Sequence, residues 1–476
     1  MFPADSTRPD TDAQLRPAAL QGLVLGVSKL SAAELLRVSA GAVLSIYLAR
    51  RLGTYAFGLW TLAVAMTGYP LALVEAGLTW IGTREIAQDR GSVRSLVPTI
   101  VRLRLTLAVA GLIVVASFVL TSSWPTMQRS MVLLASGSVL TTAVTLDWVF
   151  YGLERPSIAA AATVTRTVIF AGATLTLVSR PDQVWLVPLL QMTGELGAAV
   201  QTWFFYRGQV IPSSGAVDGT LSARGIVEQA LPLTLSQLLR AITTWSSVTI
   251  IALHASSAVV GQFGAAQRLT QLALGFATLY FYGYLPLASR ASREGHRAVH
   301  DLVSRSIRLT AGATLPFAVT ATVLAPDVVQ LVFGEAYGRA ADAFQILAWT
   351  VPVVILGGHF RHTLIAARLT RHDLFAVAAG AAGTLILNLA LIPVLGGRGA
   401  AIAPLVGETM LTVTAMALVS RKIGGIVPIG PLLGAAAPAV VMAAAMTLVR
   451  KYGFVVALGT GAATYALTLL LTRDKR

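Results

Sequence analysis

Apolar runs of about 20 residues recur along this 476-residue chain from Leu30 almost to its C-terminus, separated by short polar breaks. A helix rises about 1.5 Å per residue, so each run is long enough to cross the hydrocarbon core of a bilayer. Read with a window of about 19 residues, the pattern predicts about fourteen spans. They lie near residues 30–48, 56–82, 98–121, 130–151, 158–178, 184–206, 229–252, 258–287, 309–331, 342–360, 372–395, 399–420, 427–448 and 453–471. No connection is long enough to hold a folded domain. The expected class is therefore all-α, a polytopic membrane protein.

The charges give the expected topology an orientation. Of the 36 Lys and Arg residues, 22 fall in the tails and even-numbered loops, 8 in the odd-numbered loops and 6 inside spans. The positive-inside rule then places both termini in the cytoplasm. The formal charge of +15 becomes mostly a topology signal, so nucleic acid is not an expected partner. Only 12% of residues are charged against 55% hydrophobic, a membrane composition. The chain has no cysteine, which excludes disulfides, thiolate nucleophiles and cysteine-held metals. Residues 1–20 are polar and mix acids with arginines, as expected of a cytoplasmic tail rather than a signal peptide.

The pattern also repeats. "ELLRVSAGAVLSIYLARRLGTYAFGLW" resembles "QLLRAITTWSSVTIIALHASSAVVGQF": Leu36-Arg37 aligns with Leu239-Arg240 and Gly58 with Gly261, both at an offset of 203. Arg102 matches Arg308 at an offset of 206, and Gly194-Glu195 matches Gly407-Glu408 at 213. Six spans per repeat is an even number, so the halves share one orientation and are related by a pseudo-two-fold axis along the membrane normal. The expected organisation is a tail (1–20), an N-lobe of spans 1–6 (21–206), a cytoplasmic linker (207–226) and a C-lobe of spans 7–12 (227–420). Spans 13 and 14 with a cytoplasmic tail (421–476) fall outside the duplication.

Charges inside a bilayer cost about 2.5–3.5 kcal/mol each on insertion scales, so they face protein or water and mark candidate sites. Arg37, its repeat partner Arg240, and Arg268 lie near the middles of their spans. Spans 1, 2, 7 and 8 would face one another across the lobe interface, lining a cavity with arginines. A guanidinium fork suits phosphate oxygens, so these residues are the candidate substrate contacts, for a phosphate or pyrophosphate above all. Glu34, three residues from Arg37, offers that arginine an internal partner instead. Glu75, Asp147, Glu195 and Glu408 also lie within spans; each can carry a coupling cation or hold an arginine, and Arg166 is the evident mate for Asp147 or Glu195. Arg102 and Arg104 sit near a span end and are expected to snorkel to the interface. Arg50 and Arg51 end span 1 on the outer face, against the charge trend. Arg50 is either an exit contact for the anion or, with Arg51, an anchor to lipid phosphate.

Other chemistries find no footing. There is no GxxxxGK[ST] run for ATP. His359 and His362 have helical spacing but no third ligand, so no metal is expected. An envelope-assembly enzyme such as a polymerase would need a catalytic loop or soluble domain that the hydropathy does not provide.

Five segments carry a family resemblance. The stretch Ala49, Arg50, Leu52, Gly53, Phe57, Gly58, the segment Gly77, Leu78 and Thr83 to Ala87, and the connection through Asp147, Trp148, Gly152, Glu154, Arg155 and Arg166 resemble bacterial polysaccharide flippases. So do "LVFGEAYGRAADAFQILAW" and "GGRGAAIAPLVGE". These are members of the multidrug/oligosaccharidyl-lipid/polysaccharide exporter superfamily. The resemblance implies a fourteen-helix, non-enzymatic flippase in the bacterial inner membrane. It would move an undecaprenyl-pyrophosphate-linked oligosaccharide outward, driven by a proton or sodium gradient, for lipopolysaccharide or exopolysaccharide synthesis, with a polysaccharide polymerase as candidate partner. A multidrug exporter and a lipid II flippase are the alternatives within the superfamily.

Overall fold

A computed structural model describes residues 17–209, 222–424 and 429–473. Residues 210–221 of the expected linker lie outside them, as do most of the N-terminal tail and the last three residues. All regular structure among the described residues is helical. Among the described residues, eleven helices are long and apolar enough to cross a membrane.

The chain begins with α1 (Pro17–Gln88), which holds both of the first two expected spans. It bends at Gly53, whose φ of 70° lies in the left-handed region that glycine enters without a Cβ clash. Next come α2 (Val93–Thr121), then α3 (Thr126–Ser136), α4 (Ser138–Ala143) and α5 (Asp147–Gly152), followed by α6 (Pro156–Leu177) and α7 (Leu186–Gln209). Expected span 4 is thus a broken helix in three pieces. The C-lobe runs through α8 (Ala223–His254), α9 (Ser257–Glu294), α10 (His296–Phe333), α11 (Ala340–Leu347), α12 (Thr350–Ala366), α13 (Thr370–Leu395) and α14 (Gly397–Lys422). Expected span 10 is again divided, between α11 and α12. Helices α7 and α8, where the sequence predicts spans 6 and 7, are not among the eleven; both carry polar groups such as Glu195 and Arg240 that face inward.

The duplication is visible atom by atom. Glu154 and Arg368, 214 residues apart, are the two non-glycine residues with positive φ (59° and 60°) among the described residues. Each closes the same turn: the N–H of Arg155 donates to Phe150 O at 2.8 Å, and that of Leu369 to Leu364 O at 2.8 Å. Gly194 and Gly407 repeat one close approach. A Cβ at Gly194 would come within 2.8 Å of Arg166 O, and one at Gly407 within 2.7 Å of Gly380 O.

The lobes meet along α1, α8 and α9. Near the Gly53 bend the aligned glycines Gly58 and Gly261 bring the helices together backbone to backbone. A Cβ on Gly58 would overlap the Ser257 carbonyl, and a Cβ on Gly261 the Thr54 carbonyl. A continuous apolar core including Leu48, Phe57, Ile251, Val260 and Phe263 fills this end of the interface, here called the sealed end. Helices α15 (Ile429–Val449) and α16 (Phe454–Arg473) stand outside the duplication and pack against α10, where Tyr465 OH donates to Gly312 O at 2.7 Å.

Candidate functional site

Between the lobes lie two adjoining chambers whose walls share Arg37 and Arg166. The one nearer the sealed end has a volume of about 540 Å³ and includes Trp60, Gln191, Glu195, Arg268 and Gln271 in its wall. The other, towards the Gln88 end of α1, holds about 610 Å³ and is walled partly by Glu34, Glu75, Asp147, Tyr151 and Arg240. Five arginines from five helices of both lobes thus line one cavity: Arg37 on α1, Arg104 on α2, Arg166 on α6, Arg240 on α8 and Arg268 on α9.

Their partners differ. Arg37 forms a bidentate pair with Glu34, Nη2 to Oε1 at 2.6 Å and Nε to Oε2 at 2.8 Å, with its side chain still 52% exposed to the cavity. Arg166 is held from two sides, by Asp147 Oδ2 at 2.9 Å and Glu195 Oε2 at 2.7 Å. Arg268 lies with Cζ 4.9 Å from the centroid of the Trp60 ring and Nη1 3.5 Å from Gln271 Oε1, and makes no ion pair among the described residues. Arg240 likewise has no ion pair among the described residues, though Arg361, Glu408 and Asp373 lie within electrostatic reach. Three of the four cavity carboxylates (Glu34, Asp147 and Glu195) are therefore committed to arginines, while three of the five arginines are not committed to carboxylates: Arg240, Arg268, and Arg104, which donates to backbone carbonyls instead.

Glu408 does not line either chamber. It is the repeat mate of Glu195, but Gly380 stands where the N-lobe has Arg166, so the C-lobe has no arginine at that point. Arg361, at the place of Asp147, pairs instead with Asp373 through bonds of 2.8 and 3.1 Å. The charged cluster is rewired between the lobes, and the two faces of the cavity are chemically unlike.

Two arginines differ from the sequence reading. Arg50 is outside the cavity wall: its Nε donates to Val332 O at 2.8 Å and its Nη2 to Leu331 O, so it caps the carbonyl end of α10 across the lobe interface. Arg51 lies over the Tyr47 ring, 5.7 Å from its centroid. Arg104 does not snorkel. It is 2% exposed, and its Nη1 and Nη2 donate to Thr145 O at 2.9 Å and Thr142 O at 3.0 Å. Both lie at the break in span 4; the Thr142 carbonyl also accepts the Thr145 N–H at 3.2 Å and Oγ1 at 2.9 Å. Trp203 Nε1 takes Val144 O at 2.9 Å, completing the repair. Irregular backbone at membrane depth persists only when buried partners satisfy it, and here it places Asp147 at the start of α5, facing Arg166. Arg102, two residues from Arg104 and on another face of α2, is exposed. His359 and His362 are packing residues: His359 Nε2 meets Tyr280 OH at 3.0 Å, and His362 stacks on Phe281 at 4.4 Å.

This architecture is shared with solved transporters. The fold matches a lipid II flippase, MurJ, in an inward closed conformation, with a TM-score of 0.74 at 13% identity over 94% of this chain and 99% of that one. It matches an inward-facing multidrug resistance MATE family transporter of the MOP superfamily at 0.61, with 16% identity over 82% and 98% of the two chains. A MOP superfamily transporter from Pyrococcus furiosus, described as having a binding pocket of reverse polarity, gives 0.58 at 16% identity over 84% and 95%. No curated protein matches the sequence. Residues 23–292, more than half of the chain, match the model of the polysaccharide biosynthesis protein family. The chain belongs to that family, and carries it on the membrane-embedded fold of MurJ and the MATE transporters.

Proposed function

We propose that this protein is a flippase for an undecaprenyl-pyrophosphate-linked oligosaccharide, working by ion-coupled alternating access in the bacterial cytoplasmic membrane. The observation that carries the reading is the pair Arg240 and Arg268, two guanidinium groups on the cavity wall with no carboxylate partner among the described residues. An uncompensated cation at membrane depth is stabilised by an incoming anion. A pyrophosphate with its several oxygens suits more than one guanidinium at once. Arg37 and Arg166, already neutralised by acids, line the same space and complete the polar wall.

The sealed end is the outer one in this reading, because the loops at the opposite end hold most of the Lys and Arg. The headgroup enters from the cytoplasmic side, the lipid tail stays in the bilayer through a lateral gap between lobes, and rocking of the lobes releases the headgroup outward. Glu75 and Glu408, which have no ion pair among the described residues, are the carboxylates free to carry a coupling proton or sodium ion; Asp147 and Glu195 serve Arg166. A polymerase acting on the delivered glycan is the expected downstream partner.

A multidrug exporter for cationic drugs would present free carboxylates to its cavity, whereas here most of them are neutralised by arginine. The test is reconstitution in proteoliposomes with a fluorescent lipid-pyrophosphate oligosaccharide. The expected result is translocation that requires an imposed ion gradient; efflux of a cationic dye with no glycolipid movement would overturn the reading.

A further inference from the structure

The chamber on the Gln88 side has an unfinished wall. Thr79 Oγ1, Arg104 Nε, Asp147 Oδ1 and Trp148 Nε1 are buried and have no hydrogen-bond partner among the described residues, and all four residues line this chamber. Trp148 itself is 1% exposed. Unsatisfied buried polar atoms are rare in folded proteins, and several on one wall call for a ligand that completes them. Their chemistry is mixed: an indole N–H and a guanidinium N–H that only donate, a carboxylate oxygen that only accepts, and a hydroxyl that does both. A phosphate, which only accepts, cannot answer that set. Sugar hydroxyls, each a donor and an acceptor, can.

The rest of the chamber agrees. Trp80, 66% exposed, and Tyr151 and Trp245 also line it, offering flat apolar faces on which the C–H face of a pyranose can pack. Glu75 is exposed on the same wall and makes no ion pair among the described residues, so its carboxylate is available to sugar hydroxyls. Glu75 and Thr79 are one helical turn apart on α1, and Asp147, Trp148 and Tyr151 share the single short helix α5. The chamber adjoins the other through Arg37 and Arg166. A sugar directly bonded to a pyrophosphate held at Arg268, Arg37 and Arg166 would therefore lie in it, in the chamber whose wall also carries Arg240.

We propose that this chamber is a pyranose subsite, in which Thr79, Asp147 and Trp148 bind hydroxyls of the sugar next to the pyrophosphate while Trp80 stacks on its ring. The proposal rests on the flippase reading above. It adds that the protein selects its cargo by the first sugar as well as by the anion.

The experiment measures binding to the full chain in nanodiscs. The probes are inorganic pyrophosphate, undecaprenyl pyrophosphate, and undecaprenyl pyrophosphate bearing one glucosyl, galactosyl or N-acetylglucosaminyl residue. At least one glycosylated lipid is expected to bind about tenfold more tightly than the bare lipid. Trp80→Ala and the nearly isosteric Thr79→Val should remove most of that gain while leaving inorganic pyrophosphate binding unchanged, which also reports that the variants are folded. Arg268→Gln should weaken every probe. Equal binding of bare and glycosylated lipids across the panel, or equal weakening of both by Trp80→Ala and Thr79→Val, overturns the subsite and leaves the flippase reading standing. Failure of every pyrophosphate-bearing probe to bind overturns both.

Discussion

Trp124 and Tyr337 make the same hydrogen bond in opposite directions across the lobe interface. Trp124 Nε1 donates to Ala252 O at 2.8 Å, and Tyr337 OH donates to Ala49 O at 2.9 Å. The two acceptors are 203 residues apart, the offset of the sequence repeat, so each lobe latches the first helix of the other. Both bonds lie at the sealed end, beside the Gly58–Gly261 crossing. Together they close one side of the cavity. In the proposed alternating access, opening that side would break both.

Removing either donor should therefore loosen the seal without touching the cavity. Hydrogen bonds between membrane helices are worth about 0.6–1.7 kcal/mol, so Trp124→Phe and Tyr337→Phe should each raise the open population by a factor of about 3 to 18. Because the chain has no cysteine, Ser45→Cys in the cavity wall gives a single reporter thiol. Its labelling by an impermeant reagent added at the sealed side should quicken by that factor in each variant and roughly by the product in the double variant. Unchanged labelling would show that the latches do not hold the gate.

The glycine crossing should tolerate less. Gly58→Ala or Gly261→Ala places a methyl against a backbone carbonyl of the other lobe, with no flexible side chain to give way. Each is expected to lower translocation at least tenfold, and the two equally, since the contacts are reciprocal. A proteoliposome assay on the two single variants checks both the size and the symmetry.

Arg166 is a structural keystone in this account. Arg166→Gln leaves Asp147 and Glu195 without their shared counter-charge, a loss of about 3–5 kcal/mol for a buried network. Thermal unfolding in detergent should fall by several degrees, and adding Asp147→Asn with Glu195→Gln should restore much of it. If Arg166→Gln unfolds at the wild-type temperature, the triad is not holding the N-lobe together.

Arg104 and Arg102 provide a paired control. Arg104→Gln strands the Thr145 carbonyl, at about 1–3 kcal/mol for a buried unsatisfied group, and leaves the Thr142 carbonyl to Thr145 alone. Lys at that position, with one ammonium instead of a fork, should rescue only part of the loss. Arg102→Gln, on the exposed face, should leave the unfolding temperature within a degree.

The contrast between these two arginines shows what the sequence could and could not tell. The helical class and the place of Arg37, Arg240 and Arg268 on one cavity wall were legible because hydropathy, repeat offsets and charge are properties of the chain itself. The Glu34–Arg37 pair was legible through helical spacing, and Arg166 with Asp147 and Glu195 because few acids were available to meet it. The break in span 4 was not legible. Residues 142–146 read as ordinary apolar helix, and the break is held by Arg104 and Trp203, which arrive from 38 and 59 residues away. Arg50 is the same case at greater range, since the carbonyls it caps lie 281 and 282 residues along the chain. A donor whose acceptor is backbone leaves no complementary charge to find in the sequence, so capping arginines look like substrate arginines until the fold separates them.

The central claim is that the cavity holds the anion of its cargo with arginines that the protein itself leaves without carboxylates. The most direct measurement is translocation of a fluorescent lipid-pyrophosphate oligosaccharide by Arg240→Gln, Arg268→Gln and the double variant, alongside Arg50→Gln. The account predicts at least a tenfold loss in each cavity variant, complete loss in the double, and a smaller loss with Arg50→Gln, which touches only the seal. Full transport by the Arg240→Gln, Arg268→Gln double variant would contradict it.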